Sequence, residues 1–275
     1  MRPLLLAVLL ACAACGRHAA HPVLATTTSM QNSGLLEPLL RQYGSVRVLA
    51  VGSGIALELL GRGEADVAIT HAPEREAAAL RAHPSWWYRK ILYNDFLLVG
   101  PPEDPAGVRQ ASDAVDAMRR IGASNARFIS RGDSSGTHER EEQLWRLAGG
   151  APGDGRVVVA GAAMGQTLRI ASSRDAYTLT DRATFSAMKT LRSVALYSGD
   201  PRLLNTYAVV ADPDNAAGMR FARWLAGSSG RQAITRLLDS GQVSGFNVWP
   251  ADHPNDRPDA VVKPLAPLVG QPGRN

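Results

Sequence analysis

Three short stretches of this chain carry residues whose types and spacing suit the capture of an oxyanion. They are Thr26-Thr27-Thr28-Ser29, Gly52-Ser53-Gly54, and Arg131-Gly132-Asp133-Ser134-Ser135-Gly136-Thr137. Hydroxyls supply neutral donors, and glycine lets the backbone approach a ligand closely. An arginine can clamp an oxyanion through two parallel hydrogen bonds. Each stretch also has a plainer reading. Thr-Thr-Thr-Ser caps helices, Gly-Ser-Gly makes turns, and Arg131 could pair with one of the nearby glutamates. The recurrence of the pattern favours the anion reading, because each stretch follows an apolar strand candidate and leads into a helical one. The free N–H groups and the positive dipole end of a helix then add to the site.

Other chemistry has little footing. His71, His83 and His138 have no metal-ligand spacing, and no carboxylate pair suggests acid–base work. Gly132 to Gly136 has some likeness to a serine-protease nucleophile loop. That loop belongs to an all-β fold, and His138 lies too near in sequence to be assigned as its base. The Arg131-Gly132-Asp133 tripeptide is short enough to recur by chance. Trp86-Trp87-Tyr88 fits the core or a partner surface.

These loops need a scaffold, and the hydrophobic pattern supplies one. Strands are expected at Val23–Ala25, Val46–Val51, Asp66–Ile69, Phe96–Val99, Arg127–Ile129, Val157–Val159, Tyr177–Leu179 and Tyr207–Val210. Helices are expected from near Gly34, over Ile55–Leu60, Glu74–Arg81 and Ser112–Arg120, up to Ala148, and over Ala216–Leu225 and Arg231–Leu238. Pro38 is compatible only with a first helical turn. Asp181 is a candidate N-cap, and Met164-Gly165-Gln166 reads as a loop. Strand–helix alternation implies an α/β fold with a mainly parallel sheet flanked by helices. Ligands in such folds sit beyond the carboxyl ends of the strands.

The chain has 275 residues and a formal charge of +5. Its arginines are scattered singly, without basic runs or interleaved aromatics, so the charge gives no case for nucleic acid. Residues 1–15 read as a secretory signal: Arg2, then the apolar run Leu4 to Ala14, then small residues. The run falls short of the roughly 20 apolar residues that span a bilayer. Cys12 and Cys15 are the only cysteines, so the exported chain has no internal disulfide. Cys15, or else Cys12, is a candidate lipid anchor, and a plain Ala-x-Ala cut fits as well. After Pro250 the chain is rich in Pro, Asp and Arg, and residues 251–275 are expected to be extended or mobile.

With these motifs in hand, the chain resembles the tungstate-binding proteins of ABC importers from about Val23 to Leu238. The matching stretches begin with Ala25-Thr26-Thr27-Thr28-Ser29, Ser33-Gly34-Leu35-Leu36, Val51-Gly52-Ser53-Gly54, Ala56-Leu57-Glu58 and Ala65-Asp66-Val67. His71-Ala72-Pro73, Tyr93-Asn94-Asp95-Phe96 and Val99-Gly100-Pro101 follow. Ser130-Arg131-Gly132-Asp133, Ser135-Gly136-Thr137-His138 and Ala176-Tyr177-Thr178-Leu179-Thr180-Asp181-Arg182 complete the series.

The resemblance implies a two-lobed periplasmic-binding-protein type II fold. Lobe 1 would comprise residues 22–94 plus 206–250, and lobe 2 residues 95–205. The anion would lie between Thr27, Thr28, Ser29 and Ser53 on one wall and Arg131, Ser135, Gly136 and Thr137 on the other. Met164 and Gly165 are weaker candidates. Two departures stand out: Ser134 replaces a second Asp, and Gly161-Ala162-Ala163-Met164-Gly165 replaces a Gly-Gln-Gly-Met-Gly stretch. The implied protein is a non-enzymatic, monomeric binding protein of the periplasm or the outer face of the cytoplasmic membrane. It would need no cofactor or metal, and would deliver tungstate to a permease and its ATPase. Molybdate, phosphate or sulfate as ligand, an exported hydrolase, and an exported sensory or adhesive module are the alternatives.

Overall fold

The computed structural model describes residues 21–258. The signal-sequence, cleavage and lipid-anchor readings on residues 1–15 lie outside the described residues. No described helix is long and apolar enough to cross a membrane.

The chain opens with β1 (Val23–Thr27), α1 (Thr28–Asn32), α2 (Leu36–Tyr43), β2 (Arg47–Val51), α3 (Ser53–Gly61), β3 (Val67–Thr70) and α4 (Pro73–Ala82). A long strand, β4 (Trp87–Gly100), leads to α5 (Ala114–Ala123), β5 (Phe128–Ser130), α6 (Gly136–Ala148), β6 (Val157–Val159), α7 (Met164–Ser173), β7 (Thr178–Asp181), α8 (Arg182–Ala187) and β8 (Val194–Tyr197). The return strand β9 (Leu204–Ala211) is followed by α9 (Ala216–Ala226), α10 (Ser228–Asp239) and β10 (Asn247–Val248).

Strand order in the first half is β10-β4-β9-β3-β1-β2, with β1 parallel to β2 and β3. Alternation of side chains sorts its two faces. Leu24, Val67, Ile69 and Val209 join Met30, Leu36 and Phe221 in one core. Ala25, Ala68, Ala208 and Val210 join Ala56, Leu57 and Tyr88 in the other. Apolar residues on both faces mark a sheet covered by helices on both sides. The second half repeats the device: Phe96 and Leu98 face one cluster, and Leu97 and Val99 face another with Met164 and Leu168.

The sheet is mixed. The expected parallel pairing holds for β1–β3 and for β5 with β6. The antiparallel pairs arise where the chain crosses between halves. β4 pairs with β9 as far as Asp95↔Leu204, then with β7 from Phe96. Asn94↔Asn205 therefore lies at the waist of the molecule.

Several local readings shift. Pro38 is the third residue of α2, where its missing N–H costs nothing. Thr28–Asn32 is a short helix of its own, capped by Thr27. Met164-Gly165-Gln166 is no loop but the first turn of α7, whose apolar Met164, Leu168 and Ala171 recur at helical spacing and are buried. Trp87 and Tyr88 begin β4, where Tyr88 is core. Residues 251–258 hold no helix or strand, and they are anchored. Trp249 is buried, and the Lys90 amide donates to the Asn255 carbonyl at 2.8 Å.

Candidate functional site

β1 ends at Thr27, β2 at Val51, β3 at Thr70 and β5 at Ser130, and each exit leads to the face between the two halves. Thr27 Oγ1 accepts from the Met30 amide and lies 3.0 Å from Ser29 Oγ. The capping role of this stretch is thus real, and it coexists with buried hydroxyls at the cleft. Thr28, half-buried, is the first residue of α1. Ser53 opens α3 and its Oγ accepts from the His71 amide at 3.2 Å. Its own hydroxyl proton is left to donate elsewhere.

Arg131 is the central group of the opposite wall. It is 1% exposed. Its Nη2 donates to Asp133 Oδ2, while Nε and Nη1 are buried without partners. A buried guanidinium with orphaned donors is costly unless something accepts from it. Asp133 Oδ1 accepts from the Ser135 amide, so this carboxylate both braces Arg131 and supports the loop. Burial alone would raise its pKa, but the Arg131 guanidinium and the hydrogen bonds from Ser135 together offset that and hold the carboxyl below its usual range. The expected glutamate contact is made by the backbone instead: the Arg131 amide donates to Glu141 Oε2 at 3.1 Å. Burial pushes the Glu141 carboxyl up to about 7 against the hydrogen bonds from Ser130 and Arg131.

Ser135 caps α6, accepting from the His138 amide at 3.3 Å. Gly136 and Thr137 form the first turn of α6, and Thr137 Oγ1 is buried without a partner. Ser134, the departure noted above, has φ 55°, is exposed, and donates its amide to His138 Nδ1. Its side chain is not among the buried groups facing the cleft, and His138 is engaged by the Ser134 backbone.

The two walls meet. A side chain at Gly52 would have the Ser134 carbonyl oxygen as its nearest neighbour, at 3.8 Å. A methyl on Gly136 would overlap the His71 carbonyl oxygen and approach its Nδ1 to 2.9 Å. Arg75 of α4 reaches Glu139 of α6, with Nε 3.3 Å from Oε2, while Glu139 Oε1 accepts from the Glu74 amide. Between them lies a 40 Å³ cavity lined by His71, Gly136, Glu139 and Arg140 among others.

The structure thus gathers Thr27, Ser29, Ser53 and Gly136 around His71, and the Arg131 charge acts on both His71 and Asp181. The two weaker candidates begin α7, which packs against α1. The Met164 side chain packs with Leu97, Val99 and Leu168, and a methyl on Gly165 would touch Met188. Sequence reasoning gave no site role to His71, Asn94, Asn205 or Asp181, and it left Thr26 out of the anion wall although Thr26 stands in the first donor stretch and its Oγ1 is buried without a partner. The signal for His71 was present: it stands at the exit of β3, equivalent to the other three loops. Among the described residues no cluster of His, Cys, Asp or Glu is arranged to hold a metal ion.

Two α/β halves, two crossing strands and a donor-lined cleft define a two-lobed binding protein of the type II periplasmic class. The chain belongs to the PBP superfamily, whose domain it matches over residues 14–229. It is 38% identical over 227 residues to the tungstate-binding protein TupA of Peptoclostridium acidaminophilum, covering 77% of this chain and 79% of the relative. The crystal structure of the tungstate ABC transporter protein from Geobacter sulfurreducens superposes with a TM-score of 0.69 at 38% identity, covering 79% of this chain and 98% of that one. The tungstate-binding protein TupA from Desulfovibrio alaskensis gives 0.68 at 32% identity, over 82% and 98%.

Proposed function

We propose that this chain is an extracytoplasmic solute-binding protein that captures a tetrahedral oxyanion, tungstate foremost, and passes it to the permease of an ABC importer. The observation that carries this reading is Arg131: a buried guanidinium with two unpartnered nitrogens, beside the orphaned hydroxyl of Thr137. The donors would be Arg131, Ser135, the α6 first turn with Gly136 and Thr137, and across the cleft Thr27, Thr28, Ser29 and Ser53. The lobes, dividing near Asn94 and Asn205, would close over the ion. The role is binding alone, without a cofactor.

Asp133 bears on which ion is held. Hydrogen phosphate carries a proton and rewards an acceptor carboxylate. Tungstate, molybdate and sulfate carry none and need donors only. Asp133 is committed to Arg131 and the Ser135 amide, which favours the unprotonated ions. Among those, tungstate is supported by the names of the relatives described above.

A thermal-shift panel with tungstate, molybdate, sulfate and phosphate tests the reading. A ligand that binds only the native state raises the melting temperature through mass action. A shift with tungstate at the lowest concentration is the expected result. Indifference to all four ions would remove the proposal.

A further inference from the structure

His71 contacts groups on both sides of the cleft and on the crossing strand β9. Its amide donates to Ser53 Oγ, and its Nε2 lies 3.1 Å from Ser29 Oγ, so one residue holds both hydroxyl loops of the first lobe. Its Nδ1 lies 3.0 Å from Asn205 Oδ1 on the crossing strand β9. Its ring stacks on Tyr207 with centroids 4.8 Å apart. Its carbonyl abuts Gly136 of the second lobe. The residue is 2% exposed.

The partners of Asn205 assign a polarity to this network. Asn205 Nδ2 donates to Asn94 Oδ1 at 2.8 Å and to the Tyr207 hydroxyl at 3.1 Å, so it is Oδ1 that faces the imidazole. An acceptor there requires the proton on Nδ1. Nε2 is then bare and must accept, which makes Ser29 the donor. Burial lowers the His71 pKa to about 4, against the Asn205 hydrogen bond and with help from the Arg131 charge, so the ring is neutral near pH 7. The charged and titratable groups that act on it are Arg131 and Asp133 from the opposite wall.

We propose that His71 is a positioning residue for anion capture: in its Nδ1–H tautomer it fixes the rotamer and proton direction of Ser29 and ties both hydroxyl loops to the crossing strands. This rests on the oxyanion reading of the cleft. It also refines that reading, because the Ser29 hydroxyl proton is spent on His71, Ser29 Oγ then accepts from Thr27, and the hydroxyls left to reach an anion are those of Thr28, Ser53, Ser135 and Thr137. The asparagine pair at the waist, one on each crossing strand, becomes the origin of a hydrogen-bond chain that runs Asn94, Asn205, His71, Ser29, Thr27.

The test has two arms. Nitrogen-15 NMR of histidine-labelled full-length protein reads the tautomer directly. A protonated Nδ1 with a bare Nε2, unchanged between about pH 8 and pH 5, is expected, since this range lies above the pKa that burial imposes; an Nε2–H tautomer overturns the proposal. The second arm measures tungstate affinity by calorimetry for wild type, His71→Ala and His71→Gln. The glutamine amide reaches where Nε2 stands and can still accept from Ser29. His71→Ala is expected to weaken binding at least about tenfold, with His71→Gln recovering to within about threefold of wild type. Equal affinities in all three, with only the melting temperature lowered, would assign His71 a purely structural role. Absence of oxyanion binding by the wild type would instead sink the reading of the cleft, and the tautomer would still be read.

Discussion

Gly136 stands against the carbonyl of His71, so close that a single methyl group on it would overlap the oxygen. The two residues belong to opposite lobes, and the absence of a side chain at Gly136 is what allows the first turn of α6 to reach the first wall. Gly136→Ala should therefore hold the cleft ajar. Its tungstate affinity should fall at least about tenfold, while Gly165→Ala, whose methyl finds ordinary contact distance at Met188, should stay within about threefold. Calorimetry on the two variants decides it, and equal affinities would show that the lobes do not close at Gly136.

Arg131→Ala removes the buried guanidinium of the proposed site and leaves Asp133 without its partner. A charge-assisted hydrogen bond contributes about 1.5–3 kcal/mol, so affinity should drop roughly ten- to a hundredfold or more. Arg131→Lys should recover little, because a point charge cannot repeat the fork geometry. Unchanged tungstate binding by the alanine variant would move the anion site elsewhere.

The pair Arg75–Glu139 spans the mouth of the cleft from α4 to α6. Arg75 is 43% exposed, so solvent screens the pair and its contribution is of the order expected at a surface, about 0.2–1 kcal/mol. Such a latch acts on closure and not on the ion. Glu139→Gln should speed tungstate dissociation about two- to fivefold with little change in association. The swap Arg75→Glu with Glu139→Arg should slow it again. Stopped-flow traces in which the swap dissociates as fast as the single variant would refute a latch.

Two buried groups give opposite pH slopes. The folded pKa of His71, about 4, lies below its ordinary 6.5, so the unfolded chain binds more protons between those values and stability rises with pH there. The folded pKa of Glu141, about 7, lies above its ordinary 4.5. Its contribution is full below 4.5 and is lost as pH rises through 7. The two offset each other between about pH 4.5 and pH 6.5. Relative to wild type, His71→Gln should lose stability as pH rises across this window, and Glu141→Gln should gain it. Denaturant titrations at several pH values would expose a wrong assignment if the two differences had the same sign.

Much of the scaffold was legible because it follows from short-range pattern. Alternating residues such as Leu24-Ala25 and Val67-Ala68-Ile69 gave the strands their two buried faces. Asp181, a candidate N-cap by residue type, caps α8. The donor loops were legible because strand exits are where an α/β sheet exposes backbone and hydroxyl donors. The N-terminus of α7 was not, since Met164-Gly165-Gln166 lacks a capping side chain and its helical character lies in the apolar spacing that follows.

The sequence by itself determined an α/β chain, the order of its strands and helices, and the stock of hydroxyl, glycine and arginine donors at their ends. Those depend on residue type and on spacing within a few positions. Only the tertiary structure decided that Asp133 is spent on Arg131, that His71 and the Asn94–Asn205 pair join the hydroxyl loops to the waist, and that Gly136 meets His71 across the cleft. The physical reason is separation along the chain. His71 and Asn205 are 134 residues apart, and no local pattern encodes which carbonyl faces which nitrogen once a sheet, two crossings and a closing cleft have brought them together.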